Sequence, residues 1–425
     1  MGFPYRTTDI TERECGRLAD GTPVHLWYLA NRHGMRAEVL DIGGIVSRLD
    51  VVGGDLRKHD VTLGPRDPLS TEVVDYLAGA LHRPAYGPLP IMDAREEGRS
   101  VVMQRSFDRG PFAGLTVERR FALTDASELV IAQSFALADD APLRQTPEGG
   151  SDTREASPRE LPDPPLYLNL AGQEPGNVLD HAVAIDADGF VDLARNDGGS
   201  NGNKRDATDT MGGSSSGAAG ATSDGPSGKA GSRAGDDGEA GAWTRDAGEA
   251  GVPVRFRDVT GTSVDFREGR PLADVILPSE AIGGTVCGFD YCLSLAAVEP
   301  TAKSPAAGAS DGDIDPDSHE ALGARPLGGT SRATVYCGRS RVFMDFSTDA
   351  PAVRLTTFQP AGGEPARGKG GLRYGNHSGF ALVPAMLPGT PLRPGESVTM
   401  TAAYRFEPDY PEGYHTDSGC LDSII

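Results

Sequence analysis

The chain is poor in several features that commonly announce a function. Cysteine is scarce: Cys15, Cys287, Cys292, Cys337 and Cys420 are scattered along 425 residues, an odd number with no C-x-x-C spacing. That argues against a disulfide framework and a redox motif, and for reduced thiols in a cytoplasmic protein. Clustered positive charge is missing too. Forty Lys and Arg stand against 61 Asp and Glu, a formal net charge of −21. Nucleic acid and anionic membrane surfaces both require a basic stripe, so neither is an expected partner. The negative field also disfavours nucleotides and phosphosugars, and a neutral small molecule fits it better. No apolar run approaches the ~20 residues of a membrane span. The opening "MGFPYRTTDITEREC" has neither the charged head nor the apolar stretch of a secretory signal.

Gly and Pro are abundant instead. With 56 and 32 residues they make up about a fifth of the chain, against about 12% in an average protein. They concentrate in residues 144–164, 196–251 and 301–331, which read as disordered loop insertions too apolar-poor to offset ordering entropy. A tail follows residue 408. Between these segments the pattern is that of strands. In "LTVERRFALTDASELVIAQSFAL", Leu115, Val117, Phe121 and Leu123 alternate with polar residues, "TDASE" turns, and Leu129, Ile131, Phe135 and Leu137 alternate again. "ATVYCGRSRVFMDFSTD", "AVRLTTFQP" and "ESVTMTAAYRFEP" repeat the style, and "CGRSR" and "DGFVD" read as turns. The expectation is an all-β, large antiparallel β-sandwich. It forms one domain over residues 1–425, with an ordered core of about 15–408 interrupted by the three insertions.

Generic catalytic motifs are not found. The eight histidines have no i,i+4 pair and none adjoins a cysteine, so no zinc site is expected. "DGDIDPDSHEAL" places Asp311, Asp313 and Asp315 like a calcium loop, but Pro316 and Leu322 occupy the positions that need Gly and a bidentate Glu. "GKGGLRYG" lacks the strand-then-helix context of a phosphate loop, and there is no G-x-S-x-G.

Taken in order, the strand-like segments resemble the aldose 1-epimerases, or galactose mutarotases. "HDVTLGPRDP" is similar to the family's "DVVLG". "YLNLAGQEPGNVLDHAVAIDAD" resembles "YFNLAG" followed by "DH" and a strand. "GTSVDFRE" resembles "GTPFDFR", and "CGFDYCLSL" resembles "GxDHNFxL". "NHSGFALVPAMLPGTPLRPGESVTM" follows the family's ending, with its "LRPGE". The resemblance runs over residues 15–408 and implies a galactose mutarotase-like supersandwich, a hexose as ligand, and interconversion of α and β anomers. That chemistry needs a carboxylate base and an imidazolium acid, and no metal or other cofactor.

Carried over residue by residue, the resemblance implies a loss of that pair. Val383 stands where the base Glu is expected, followed by Pro384. Pro165 stands where the acid His is expected, with Pro164 in place of Asn, and no His occurs between residues 83 and 180. Of the sugar-binding positions, Arg83 keeps an Arg, Tyr86 and Gly87 replace an Asn-Arg pair, Arg354 replaces Gln, and Asp290 keeps the Asp beside Tyr291 in place of His. The candidate ligand-binding set is therefore Asp290, Arg83, Tyr86 and Arg354, with no catalytic residue retained. His377 reads as structural. Three readings remain: a sugar-binding pseudoenzyme, an active epimerase with relocated groups such as His82 and Asp290, and a non-catalytic sensor or scaffold that recruits a protein partner through its acidic insertions.

Overall fold

Aliphatic residues at alternate positions set the strands of the computed structural model. It describes residues 8–64, 67, 69, 90–110, 112–142, 164–173, 176–192, 242–245, 254–276, 290–295, 327, 331–360, 364–387 and 390–411. The first five strands pair in chain order as one sheet: β1 (Thr8–Arg17), β2 (Pro23–Asn31), β3 (Arg36–Leu40), β4 (Ile45–Val52) and β5 (Lys58–Asp60). Pairing begins with Thr8 opposite Asn31, ahead of the start expected at residue 15. Two hairpins follow, β6 (Asp93–Glu97) with β7 (Ser100–Ser106), and β8 (Leu115–Leu123) with β9 (Glu128–Leu137). The "TDASE" turn closes the second, with Ser127 left-handed at φ 58°.

Next come β10 (Ala182–Ile185), β11 (Ala187–Asp192), β12 (Ala242–Arg245), β13 (Val254–Asp258), β14 (Arg270–Pro271) and β15 (Asp290–Leu295). The chain continues through β16 (Ala333–Cys337), β17 (Val342–Thr348), β18 (Ala352–Thr357), β19 (Ala366–Arg367) and β20 (Arg373–Tyr374). It ends with β21 (Phe380–Ala385) and β22 (Ser397–Pro408). Nine strands form the largest sheet, ordered β14-β10-β16-β17-β22-β9-β8-β7-β6, and six form another, ordered β12-β13-β11-β15-β18-β21. Every pairing between these strands is antiparallel. The protein is thus an all-β antiparallel sandwich. Among the described residues no helix is long and apolar enough to cross a membrane.

The last strand, β22, pairs with β9 from Ser397↔Ala136 to Arg405↔Glu128. That long-range ladder ties the last strand to the β8–β9 hairpin, and one buried apolar cluster runs from Val24 to Phe406. Phe121, Phe135 and Phe346 are fully buried in it, each contributing roughly 2 kcal/mol of transfer free energy.

Three local readings need correction. "DGFVD" is not a turn but most of β11, which takes up an irregularity between Ala187 and Gly189 as a bulge. The segment 196–251 is not strand-free: its "AWTR" forms β12 and pairs with β13, where a Trp and a Thr supply the β-forming residues missing around them. Leu327, inside the third expected insertion, is buried in a second cluster with Ala122, Val130, Ala132 and Ala403. The calcium-like loop lies outside the described residues.

Candidate functional site

The inner face of the β8–β9 hairpin is apolar at every second residue except two. Arg119 and Gln133 occupy inward positions between Val117 and Phe121 and between Ile131 and Phe135, and they are directly opposed in the register. Gln133 in turn opposes Met400 on β22. Directly opposed residues of an antiparallel pair project to the same side with Cβ atoms about 5 Å apart, so Arg119, Gln133 and Met400 form a row across three strands. Both polar residues are deeply buried, at 5% and 6% exposure.

This row is one wall of a small cleft of about 20 Å³. The opposite wall is β21 and the segment that enters at residue 164. Val383 and Pro384 face the cleft from β21, and Pro164 and Leu166 face it from the segment. Tyr404 Oη donates to the Leu382 carbonyl at 2.7 Å and fixes β21, the edge strand of its sheet, against β22. The entering segment is bound to β21 by a two-way bridge, Leu168 N to Phe380 O at 2.7 Å and Phe380 N to Leu168 O at 2.9 Å.

Arg119 is placed by backbone geometry. Its Nη1 donates to the Gly44 carbonyl at 2.7 Å, and its guanidinium carbon lies 5.3 Å from the Phe121 ring centroid. Gly44 has φ +63°, and a Cβ there would stand 3.1 Å from Arg119 Cδ. The glycine supplies both the left-handed conformation and the space. Gln133 is handled differently: its Oε1 is buried and has no hydrogen-bond partner in the structure.

The expected site residues divide into three groups. Val383, Pro164 and Leu166 line the cleft, and Pro165 is buried but is not part of its lining. Arg354 is half-buried on β18, directly opposite Val383, and Asp290 opens β15 opposite Thr356. The register thus brings three of the implied positions to neighbouring strands of one sheet. Arg83 and Tyr86, with His82, lie outside the described residues. Tyr291 is half-buried and packs edge-on against Phe190, with ring centroids 5.9 Å apart. His377 is buried at φ 58° with Nδ1 2.8 Å from Thr357 Oγ1.

Two further polar groups outside the cleft lining are tied into the fold. His181 is fully buried. The Leu170 N–H donates to its Nε2 at 3.0 Å, which leaves Nδ1–H to donate to Asp180 Oδ1 at 3.1 Å. That hydrogen bond, against partial burial and with Arg339 nearby, holds the Asp180 carboxyl down at about 2. Elsewhere Lys369 lies in the "GKGGLRYG" segment, whose glycines 370 and 371 turn at positive φ. Its Nζ donates to Asp60 Oδ2 at 2.7 Å and to the Ser47 carbonyl at 2.8 Å. Burial lowers the Lys369 pKa, opposed by the Asp60 charge.

Arg119, Gln133 and Lys369 escaped the sequence reading. The signal for the first two was present: in an alternating hairpin, they are the polar residues at inward positions. Lys369 carries no such mark, because its partner is 309 residues away.

Chemically, the cleft sets two polar side chains on one wall against an apolar wall on the other. Neither Val383 nor Pro165 can transfer a proton. No protein-family model matches the sequence, and no curated protein matches it. Solved structures do match in fold. Galactose 1-epimerase from Lactobacillus acidophilus NCFM superposes with a TM-score of 0.53 at 14% identity, over 94% of this chain and 98% of that one. An aldose epimerase homologue from C. elegans superposes with a TM-score of 0.51 at 14% identity, over 94% of this chain and 99% of that one.

Proposed function

We propose that the chain is a divergent member of the aldose 1-epimerase family that binds a hexose-like sugar and does not interconvert its anomers. The fold it shares with a galactose 1-epimerase supports the sugar ligand. The observation that carries the lack of activity is Val383, an apolar side chain on the cleft wall where a base is expected, with the equally inert Pro165 where the acid is expected. Acid–base assistance contributes about 10²–10⁴ in rate for each group, so the absence of both leaves the reaction near its uncatalysed speed. Polarimetry of freshly dissolved α-D-glucose and α-D-galactose tests this. The optical rotation is expected to decay at the same rate with and without the protein. A catalysed decay that disappears in Asp290→Ala or His82→Ala would instead establish an active epimerase with relocated groups.

A further inference from the structure

Among the described residues the exposed large hydrophobic side chains are Leu56 and Phe343, at 36% and 39%. Single exposed apolar residues are ordinary, but these two flank one junction. Gly54 N donates to the Arg341 carbonyl at 3.0 Å, and Asp409 N donates to the same carbonyl at 2.8 Å. Leu56 lies two residues beyond that contact in the β4–β5 turn, and Phe343 two residues beyond it on β17. The Phe343 ring packs on Tyr336, with centroids 4.3 Å apart, and Tyr336 Oη donates to Asp409 Oδ2 at 2.9 Å. The junction is also held in a costly shape. Leu56 and Arg341 have φ of 62° and 54°, a left-handed conformation that is an outlier for a bulky side chain such as leucine. Turns usually place Gly or Asn at such a position, so the strained backbone here leaves a leucine at the surface.

The chain itself supplies a complementary segment. β22 ends at Pro408 and the described residues reach Pro411, so residues 412–425 set out from the junction at Asp409. Their sequence, "EGYHTDSGCLDSII", carries Leu421, Ile424 and Ile425, with Glu412, Asp417 and Asp422 and no Lys or Arg. Arg57 and Lys58 are exposed beside Leu56. From Asp409 to Leu421 the chain spans about 20 Å as a flexible coil and about 40 Å extended, enough to return to either side of the junction. We propose that residues 412–425 dock on this patch, with Leu421, Ile424 and Ile425 against Leu56 and Phe343 and the carboxylates toward Arg57 and Lys58. The contact removes apolar surface of both partners from water, and the opposite charges at its rim set the direction of docking. The contact made by Leu56 offsets the strain of its backbone. This inference is independent of the sugar reading.

The test is the rate at which iodoacetamide alkylates Cys420, next to Leu421, in the native full chain. It is read by mass spectrometry of the tryptic peptide 406–425, in which Cys420 is the only cysteine. Wild type is expected to label about tenfold more slowly than Leu56→Gly, Phe343→Ser and Ile424→Asp. Leu56→Gly relieves the left-handed position, so its Tm is expected to stay level or rise while Cys420 labels faster, which separates undocking from unfolding. Labelling as fast in wild type as in all of these variants overturns the proposal. Protection that disappears on dilution also overturns it, and assigns the patch to a second copy of the chain. Protection that Leu56→Gly and Phe343→Ser leave intact overturns it as well, and puts the segment elsewhere.

Discussion

Two buried polar clusters in this molecule differ in how they are finished. Around Asp60 the network closes on itself. Asp60 Oδ2 accepts from Lys369 Nζ and from Gln173 Nε2 at 3.1 Å, the Gln173 carbonyl oxygen accepts from Tyr374 Oη at 3.1 Å, and Lys369 also reaches the Ser47 carbonyl. In the cleft, Arg119 is anchored on Gly44, but the Gln133 oxygen beside it has no partner. A satisfied network fixes a unique packing. An orphan polar atom on a cavity wall is a cost the fold carries. The first cluster is therefore closed architecture, and the second is left open on one side.

The sharpest way to break the comparison is to remove one member of the closed network. Lys369→Met leaves Asp60 buried at 7% side-chain exposure with its main counter-charge gone. The expected loss is about 3–5 kcal/mol, read from urea unfolding. By contrast, Gln133→Leu removes a group of similar depth and is expected to cost nothing. If both variants lose comparable stability, the distinction between the clusters is wrong.

A smaller effect is expected at the opposite cleft wall. Val383→Glu puts a carboxylate at a position only 7% exposed. Desolvation raises its pKa above the unfolded value near 4.3, so the penalty grows as pH rises past that value. A loss of about 2 kcal/mol at pH 7, shrinking toward pH 4, is expected from thermal unfolding. Mutarotation should stay at the uncatalysed rate, because Pro165 cannot supply the acid. Catalysis restored by this one change would mean that an acid survives elsewhere in the cleft.

Much of the fold was legible because antiparallel strands with one buried face repeat every two residues. The hairpin at 115–137 carries that period through nine paired positions. The short strands were harder. β11 hides behind an Asp-Gly that reads as a turn, since a bulge and a turn use the same residues. β12 is four residues inside a Gly-rich stretch, too short for periodicity to register. For the site, Val383 was visible because "GFALVPAML" and "LRPGE" fix its address within a resemblance. Arg119 and Gln133 went unread although both break the alternation of that hairpin, because the break gains its meaning from the register that sets them side by side.

The smallest expected effect lies between the closed and the open cluster. Asp180 is 54% exposed, yet it accepts from the fully buried His181, whose other nitrogen holds the Leu170 N–H just beyond the cleft segment. The Asp180 carboxyl sits at about 2 in the folded state, below its ordinary value of 3.8. A carboxyl with a depressed folded pKa adds stability above the unfolded value, and that stability is lost as pH falls from about 4 toward 2. Solvent screening of so exposed a group reduces the contribution to about 1 kcal/mol. Urea unfolding of wild type and Asp180→Asn should therefore differ by about that amount at pH 7 and converge near pH 2. A difference that persists unchanged at pH 2 would mean that the aspartate's shape, not its charge, orients His181. The strut behind the cleft wall would then belong with the closed network rather than between the two.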